Sequence, residues 1–152
     1  MIKFFFILIL FIFDYFSKQV VFNLIDLNHF IKVNFFFDLA HIHNYGISFG
    51  LFAGILPSFI LILIGSFISL FILLLFYKSE NKIEKWAYII ILSGALSNII
   101  DRAVHGYVID FIYIHYRDFY WPAFNLADIY ISIGIFLILL QILKDLHKRT
   151  IK

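Results

Sequence analysis

Four long apolar runs constrain this chain more than any other feature of its sequence. A helix needs about twenty apolar residues to cross the hydrocarbon core of a bilayer. Hydrophobic residues make up 63% of the 152, against the ~45–50% usual in soluble domains. The pattern therefore predicts an integral membrane protein with transmembrane helices over residues 4–22, 56–77, 86–103 and 125–143.

The first apolar run follows Lys3, as the core of a secretory signal peptide would. It is too long for such a core, Asp14 and Lys18 interrupt it, and no small-residue cleavage site follows. We therefore interpret it as a retained helix. Asp14, Ser17 and Lys18 share one helical face, and the order of the two charges favours an ion pair. Whether that pair is structural or takes a direct part in function stays open.

Two segments between the runs are too polar to span a membrane and too apolar for free loops. Alternation over residues 31–40 predicts a half-buried strand, which the turn residues at 41–46 would end. Residues 46–50 would then turn back toward a helix. The β-branched and aromatic stretch 107–115 predicts a second strand, ended by Trp121 and Pro122. Together they predict a small sheet on the membrane surface.

Polar side chains gather toward one end of the third and fourth runs. Their spacing of three or four residues gives each helix one polar face. Small Gly94 also permits close helix packing. The residues concerned are Gly94, Ser97, Asn98 and Asp101 in the third run, and Asn125, Asp128 and Ser132 in the fourth.

Basic residues predict the topology. Lys and Arg concentrate at the termini and in a predicted loop over residues 78–85. By the positive-inside rule, both termini and that loop are cytoplasmic. The polar residues Asn44, Asp101, Asp110, Asn125 and Asp128 then gather at the outer leaflet.

Ionisable groups at membrane depth are costly, and usually functional. Two neighbouring carboxylates cannot both ionise easily, so one keeps a proton and the pair can activate water. Asp110 and Asp128 form such a pair if the topology is right. Asp101 is a third candidate for this chemistry. The alternative is a supporting role, in which it pairs with Arg102 or Lys18.

Each of these signals also has a purely structural interpretation. Asn125 and Asp128 have the spacing of a helix cap, and Asp101 with Arg102 fits an interfacial charge pair. A zinc site with the carboxylates is suggested by four histidines, His41, His43, His105 and His115. No HExxH motif exists and the His-x-His spacing is a weak signal, so we predict no metal site. The chain has no cysteine, which excludes thiol chemistry, and its net charge of +2 does not suggest nucleic acid.

Five motifs in order resemble the lipoprotein signal peptidase family, or signal peptidase II. They lie at residues 14–18, 44–49, 94–102, 108–111 and 124–128, and the resemblance covers nearly the whole chain. It implies a single membrane domain over residues 1–152, all-α, with four transmembrane helices, a small extracytoplasmic β-sheet and a short surface helix.

The resemblance implies an aspartyl endopeptidase of the bacterial cell inner membrane. It would remove the signal peptide of a prolipoprotein before the cysteine that carries a diacylglyceryl group, with no cofactor. The family's catalytic aspartates fall on Asp110 and Asp128. Its site-lining residues, which contact substrate or the inhibitor globomycin, fall on Asn44, Asn98, Arg102 and Asn125.

Two other classes of function remain as alternatives. Buried aspartate and asparagine also serve a proton-coupled transporter or an ion-binding protein, but such sites usually lie near the midplane, often between repeats. We find the polar residues at one end and no internal repeat. A purely structural membrane subunit leaves Asp110 and Asp128 unexplained.

Overall fold

The computed structural model describes residues 2–47 and 53–150, and shows a helical bundle with a small sheet at one end. Its helices are α1 (Ile2–Leu24), α2 (Ser58–Lys78), α3 (Lys82–His105) and α4 (Leu126–Thr150). Its strands are β1 (Phe30–Lys32), β2 (Phe37–Asn44), β3 (Val108–Tyr116) and β4 (Phe119–Tyr120). All four helices of the described residues are long and apolar enough to span a membrane, which confirms the predicted fold class.

Helix α3 is the central helix of the bundle. It packs against α1, α2 and α4, and 56% of its most apolar stretch is buried, against 17% in each of the other described helices. Small residues on α3, including Ser93 and Gly94, let neighbouring backbones approach closely. A Cβ atom on Gly94 would lie 2.3 Å from the carbonyl oxygen of Ala127, so this position requires glycine.

The connection between α2 and α3 is shorter than predicted. We expected a loop over residues 78–85, but α3 already begins at Lys82. The side chain of Asn81 caps the helix, accepting hydrogen bonds from the N–H groups of Ile83 (2.8 Å) and Glu84 (3.4 Å). The charged residues of this segment from Lys82 onward belong to the first turn of α3, although their polarity had predicted a loop.

The described strands form one antiparallel sheet in the order β1-β2-β3-β4. The segment between α1 and α2 supplies β1 and β2, and the segment between α3 and α4 supplies β3 and β4. In the central pair, Ile42 lies opposite Asp110. Val21 and Ile25 pack against Ile109 and Phe111, which fixes the sheet to the end of α1.

The prediction of one continuous strand over residues 31–40 is wrong. The chain turns after β1 and returns as β2, pairing Ile31 with Leu39. The side chain of Asn34 stabilises the turn by accepting a hydrogen bond from the N–H of Phe36 (3.0 Å). The alternation of residues continues in the same phase through the turn, so the period of two did not reveal the turn.

The turn predicted at residues 41–46 begins later than we expected. Residues 41–44 belong to β2, because β3 pairs with them, as in His43 opposite Ile109. The turn begins at Asn44, whose Oδ1 accepts a hydrogen bond from the N–H of Gly46 (2.8 Å). The predicted return toward a helix at residues 46–50 lies mostly outside the described residues.

The second predicted strand is confirmed as β3, and the described sheet ends with β4 at Tyr120, just before Trp121 and Pro122. The short surface helix that the resemblance implies is not among the elements assigned within residues 2–47 and 53–150.

Candidate functional site

Asp110 is buried in β3, at the junction between sheet and bundle. Its side chain is 3% exposed. Asn44 on β2 donates a hydrogen bond to Oδ2 (2.8 Å), and Asn125 donates one to Oδ1 (2.7 Å). A carboxyl group inside an apolar strand is therefore held by amides from two other parts of the chain.

Asp128 lies in the first turn of α4. The side chain of Asn125 accepts a hydrogen bond from the N–H of Asp128 (3.0 Å), and Oδ2 of Asp128 accepts one from the N–H of Asn125 (3.3 Å). This reciprocal pair is a capping box, so the structural interpretation of the spacing is correct. The Nδ2 of Asn125 is nevertheless bound to Asp110, so one residue caps α4 and links both carboxyl groups.

Asp110 and Asp128 line one cavity of about 300 Å³. Its polar lining is completed by Asn44, Asn98 and Arg102, and its apolar lining comes mainly from α2 and α3. The structure thus brings together all six residues predicted as catalytic or site-lining, since Asn125 donates to Asp110 from beside the cavity. Their hydrogen bonds join two strands, two helices and one helix cap.

The two carboxyl groups interact electrostatically. Burial, and after it the charge of Asp128, raise the pKa of Asp110 from 3.8 to about 7. The amide hydrogen bonds from Asn44 and Asn125 oppose this shift. Asp110 is therefore poised to hold a proton near neutral pH. Asp128 lies at the N-terminal end of α4, where the helix dipole carries its positive end.

Lys18 joins the supporting residues into one buried network. Its ammonium group lies 2.6 Å from Oδ2 of Asp14 and 2.6 Å from Oδ2 of Asp101, and donates to Oδ1 of Asn98 (3.1 Å). Asn98 in turn donates to Oδ1 of Asp128 (2.9 Å). The sequence allowed Asp101 to pair with Arg102 or Lys18, and in the structure it pairs with Lys18. The network ends on a candidate catalytic carboxyl group.

Asp14 connects α1 to two other helices. Its Oδ2 accepts a hydrogen bond from the hydroxyl of Ser97 on α3 (2.6 Å), and its Oδ1 accepts one from the N–H of Ala127 on α4 (2.8 Å). That N–H is one of those left unpaired at a helix start. The sequence contained no signal for this contact, because the two residues are far apart in the chain.

Arg102 lines the cavity from the end of α3. It donates to the carbonyl oxygens of Asn98 (3.0 Å) and Gly46 (2.5 Å). Within the described residues, its Nε is buried and has no acceptor. This places an unsatisfied cationic donor beside two carboxyl groups, where an incoming carbonyl oxygen would be bound.

The histidines lie beside the site. A hydrogen bond joins Nε2 of His41 to Nε2 of His43 (3.1 Å). The ring of His43 also stacks on that of Tyr107. Burial, with the neighbouring His41 and His105, lowers the pKa of His43. Within residues 2–47 and 53–150, no three His, Asp or Glu side chains are grouped as a metal site requires.

Two neighbouring carboxyl groups, amide donors and an arginine make an arrangement suited to hydrolysis. One carboxylate takes a proton from water, the other carboxyl gives one to a carbonyl oxygen, and the cationic donors stabilise developing negative charge. The cavity opens among apolar side chains of helices long enough to span a membrane.

The chain is similar to known proteins over most of its length. A curated lipoprotein signal peptidase of Thermodesulfovibrio yellowstonii is 37% identical over 139 residues, covering 91% of this chain and 92% of that protein. One of Dichelobacter nodosus is 37% identical over 142 residues, covering 91% and 90%.

The chain is also similar in fold to solved structures. Two, each described as a bacterial membrane enzyme, superpose with TM-scores of 0.86 and 0.83 at 27% sequence identity. Each covers 94% of this chain, and this chain covers 88% and 93% of theirs. The sequence profile of signal peptidase (SPase) II matches residues 6–144. This multi-pass membrane chain therefore belongs to the signal peptidase (SPase) II family.

Proposed function

We propose that this peptidase is an aspartyl endopeptidase that removes the signal peptide from diacylglyceryl-modified prolipoproteins, cutting before the lipidated cysteine. The observation that carries the proposal is the shared cavity of Asp110 and Asp128, bridged by Asn125 at the end of four apolar helices. The curated relatives are named lipoprotein signal peptidases, which supports the choice of substrate.

The hydrolysis uses both carboxyl groups and one water. Asp128, ionised at the helix N-terminus, takes a proton from water as its oxygen attacks the scissile carbonyl carbon. Asp110, protonated near neutral pH, gives its proton to the carbonyl oxygen. In the tetrahedral diol that results, Asp128 returns its proton to the leaving amine while a diol hydroxyl reprotonates Asp110. Peptide bond cleavage thus regenerates both groups.

The neighbouring polar residues position the reacting groups. Asn44 and Asn125 hold the carboxyl group of Asp110, and Asn98 holds that of Asp128. Arg102 offers its free Nε to a substrate carbonyl. The apolar lining from α2 and α3 would take the hydrophobic part of the signal peptide.

The substrate and the inhibitor reach the site from the bilayer. We place both termini in the cytoplasm and the sheet outside the cell inner membrane, as the distribution of basic residues favours. Membrane lipid then surrounds the cavity entrance, and a diacylglyceryl-modified prolipoprotein enters laterally. Globomycin, a peptide antibiotic, would occupy the same cavity. The mechanism itself requires no metal or cofactor.

A proton-coupled transporter is the weaker alternative. Its site would lie near the middle of the bilayer. Here the cavity's carboxyl groups lie where α3 ends and α4 begins, next to the sheet. The family is also one of peptidases.

Isosteric substitution of each carboxyl group tests the proposal. Asp110→Asn and Asp128→Asn each remove a proton-transfer group and should lower the rate of cleavage of a diacylglyceryl-modified prolipoprotein by at least about 10²–10⁴-fold. Thermal unfolding should show both variants folded. Asp118→Asn, in the exposed turn between β3 and β4, is the matched control and should cleave at the wild-type rate. Wild-type cleavage by a folded Asp110→Asn variant contradicts the aspartyl mechanism.

A further inference from the structure

A second cluster of charge and aromatic rings lies at the end of the bundle opposite the candidate site. Roughly 25 Å along α3 separates Lys85 from Arg102. The ammonium group of Lys3, on α1, lies 5.5 Å from the ring centre of Phe76 and 5.8 Å from that of Trp86. Lys85, on α3, lies 5.7 Å from the same Phe76 ring. Two cations from different helices thus converge on one buried ring of α2.

Neither lysine has a carboxylate partner within residues 2–47 and 53–150, where every lysine ion pair belongs to Lys18. The nearby carboxylate of Glu84 instead accepts a hydrogen bond from the hydroxyl of Ser79 (2.6 Å). Both lysine side chains are half-buried against aromatic rings. Cation–π contacts position the two ammonium groups but supply no negative counter-charge, which an anion would provide.

Both lysines lie in first helical turns at this end of the bundle. Helices α1 and α3 both begin here, as the contacts of Phe4 with Phe76 and of Phe6 with Trp86 show. The positive ends of these two helix dipoles add to the lysine charges, whereas the C-terminal end of α2 and the acidic Glu84 in the first turn of α3 oppose them. The first turn of α1 contains no acidic side chain. The two lysines are therefore the charges that would attract an anion to this cluster.

The surface around the cluster is apolar. Phe4 on α1 and Leu74 and Tyr77 on α2 are each about half exposed or more, at 49%, 51% and 65%. These side chains belong to membrane-spanning helices and therefore contact lipid chains. Trp86 is half-buried. Tryptophan side chains are enriched at the depth of the lipid headgroups. An anion that fits here carries apolar chains below its charge.

We propose that Lys3 and Lys85, above Phe76 and Trp86, bind the phosphate of an anionic phospholipid. Its acyl chains lie along the exposed apolar side chains of α1 and α2. Basic pockets between membrane helices recognise anionic headgroups in this way. The site is remote from the carboxyl groups of the candidate active site, and binding there requires no peptide hydrolysis.

Fluorescence quenching of Trp86 by brominated lipid tests this site. The full chain carrying Trp121→Phe, so that Trp86 is its sole tryptophan, is reconstituted in phosphatidylcholine vesicles. Equal mole fractions of phosphatidylglycerol or phosphatidylcholine brominated on the acyl chains are then compared. Brominated phosphatidylglycerol should quench preferentially. Lys3→Gln with Lys85→Gln should lower this preference by about 30-fold, to near equality.

The exposed lysines Lys78 and Lys82, at the same end of the bundle, provide the matched control. Changing both to Gln removes the same charge and should leave most of the preference. Lys3→Arg with Lys85→Arg should restore it, which separates loss of the site from misfolding. An equal loss in both Gln pairs, or an unchanged preference without Lys3 and Lys85, overturns the proposal. So does competition by inorganic phosphate beyond that of chloride at equal ionic strength, which would indicate a free-phosphate site.

Discussion

Lys18 is a fully buried cation whose charge is shared between two carboxylates and one amide. Lys18→Met leaves Asp14 and Asp101 as unpaired buried carboxylates. Removing one partner of a buried ion pair typically costs about 3–5 kcal/mol. We expect the free energy of unfolding to fall by that amount, measured by denaturant titration in detergent. Lys32→Met, on exposed β1, should change it little.

Asn98→Ala separates the positioning effect of this network from its stabilising effect. It removes the hydrogen bond to Asp128 and leaves both ion pairs of Lys18 in place. Turnover should fall while the unfolding midpoint stays closer to the wild type than that of Lys18→Met. A variant with normal turnover would show that Asn98 does not position Asp128.

The raised pKa of Asp110 predicts a pH dependence. Its value of about 7 exceeds the ordinary 3.8, so the folded chain binds more protons than the unfolded chain between those values. The contribution of Asp110 to the free energy of unfolding is therefore fully present below pH ~4 and lost as pH rises through about 7. With Asp110 as proton donor, kcat/KM should also fall above about pH 7.

Asn44→Ala tests that assignment. The amide of Asn44 lowers the pKa of Asp110, so its removal should move the descending limb of the kcat/KM profile to higher pH. The profile is measured on a diacylglyceryl-modified substrate with wild type and variant side by side. A limb that stays in place, or moves to lower pH, indicates that another group controls it.

At the scale of elements, the contact between α3 and the start of α4 sets the site geometry. Gly94→Ala would place a Cβ atom 2.3 Å from the backbone oxygen of Ala127, which cannot move without shifting the first turn of α4. Overpacking of this kind costs about 1–3 kcal/mol. Both the unfolding temperature and turnover should fall, since Asp128 lies in that turn.

Gly65→Ala is the matched control for this prediction. Its nearest neighbour would be Cγ1 of Ile99 at 3.1 Å, a side-chain atom that can move. We expect a smaller loss of stability than in Gly94→Ala. Equal losses of stability in the two variants would indicate that the packing of α3 in general, rather than its contact with α4, is disturbed by the added methyl group.

The elements also show where sequence periodicity stops being informative. Alternation identified strand structure over residues 31–40 but gave no sign of the turn at Asn34. Composition placed residues 78–85 in a loop, although Asn81 starts α3 there. Turns and caps depend on one or two side chains and their local hydrogen bonds, so a pattern averaged over many residues does not resolve them.

At the scale of the whole molecule, the proposed orientation has a direct test. The chain contains no cysteine, so a single introduced thiol reports on one position. In spheroplasts, a membrane-impermeant maleimide should label Asp118→Cys, in the exposed turn between β3 and β4. It should label Glu80→Cys, between α2 and α3, only after lysis. The reverse pattern would place the candidate site in the cytoplasm.

The sequence by itself determined the membrane residence, the positions of the four helices and the sheet-forming segments. These follow from apolar run length and local residue preference, which are properties of neighbouring residues. It also indicated Asp110 and Asp128, because carboxyl groups among apolar residues are costly and stand out.

Only the tertiary structure decided which groups meet. It joined Asp14 to the N–H of Ala127, Lys18 to Asp101, and Asn125 to both Asp110 and the start of α4. These partners come from different helices and strands, and their contacts depend on how closely the helices pack around α3. Local sequence preference does not determine distances between separate elements. The network that holds the two carboxyl groups therefore forms only when the bundle and the sheet are assembled.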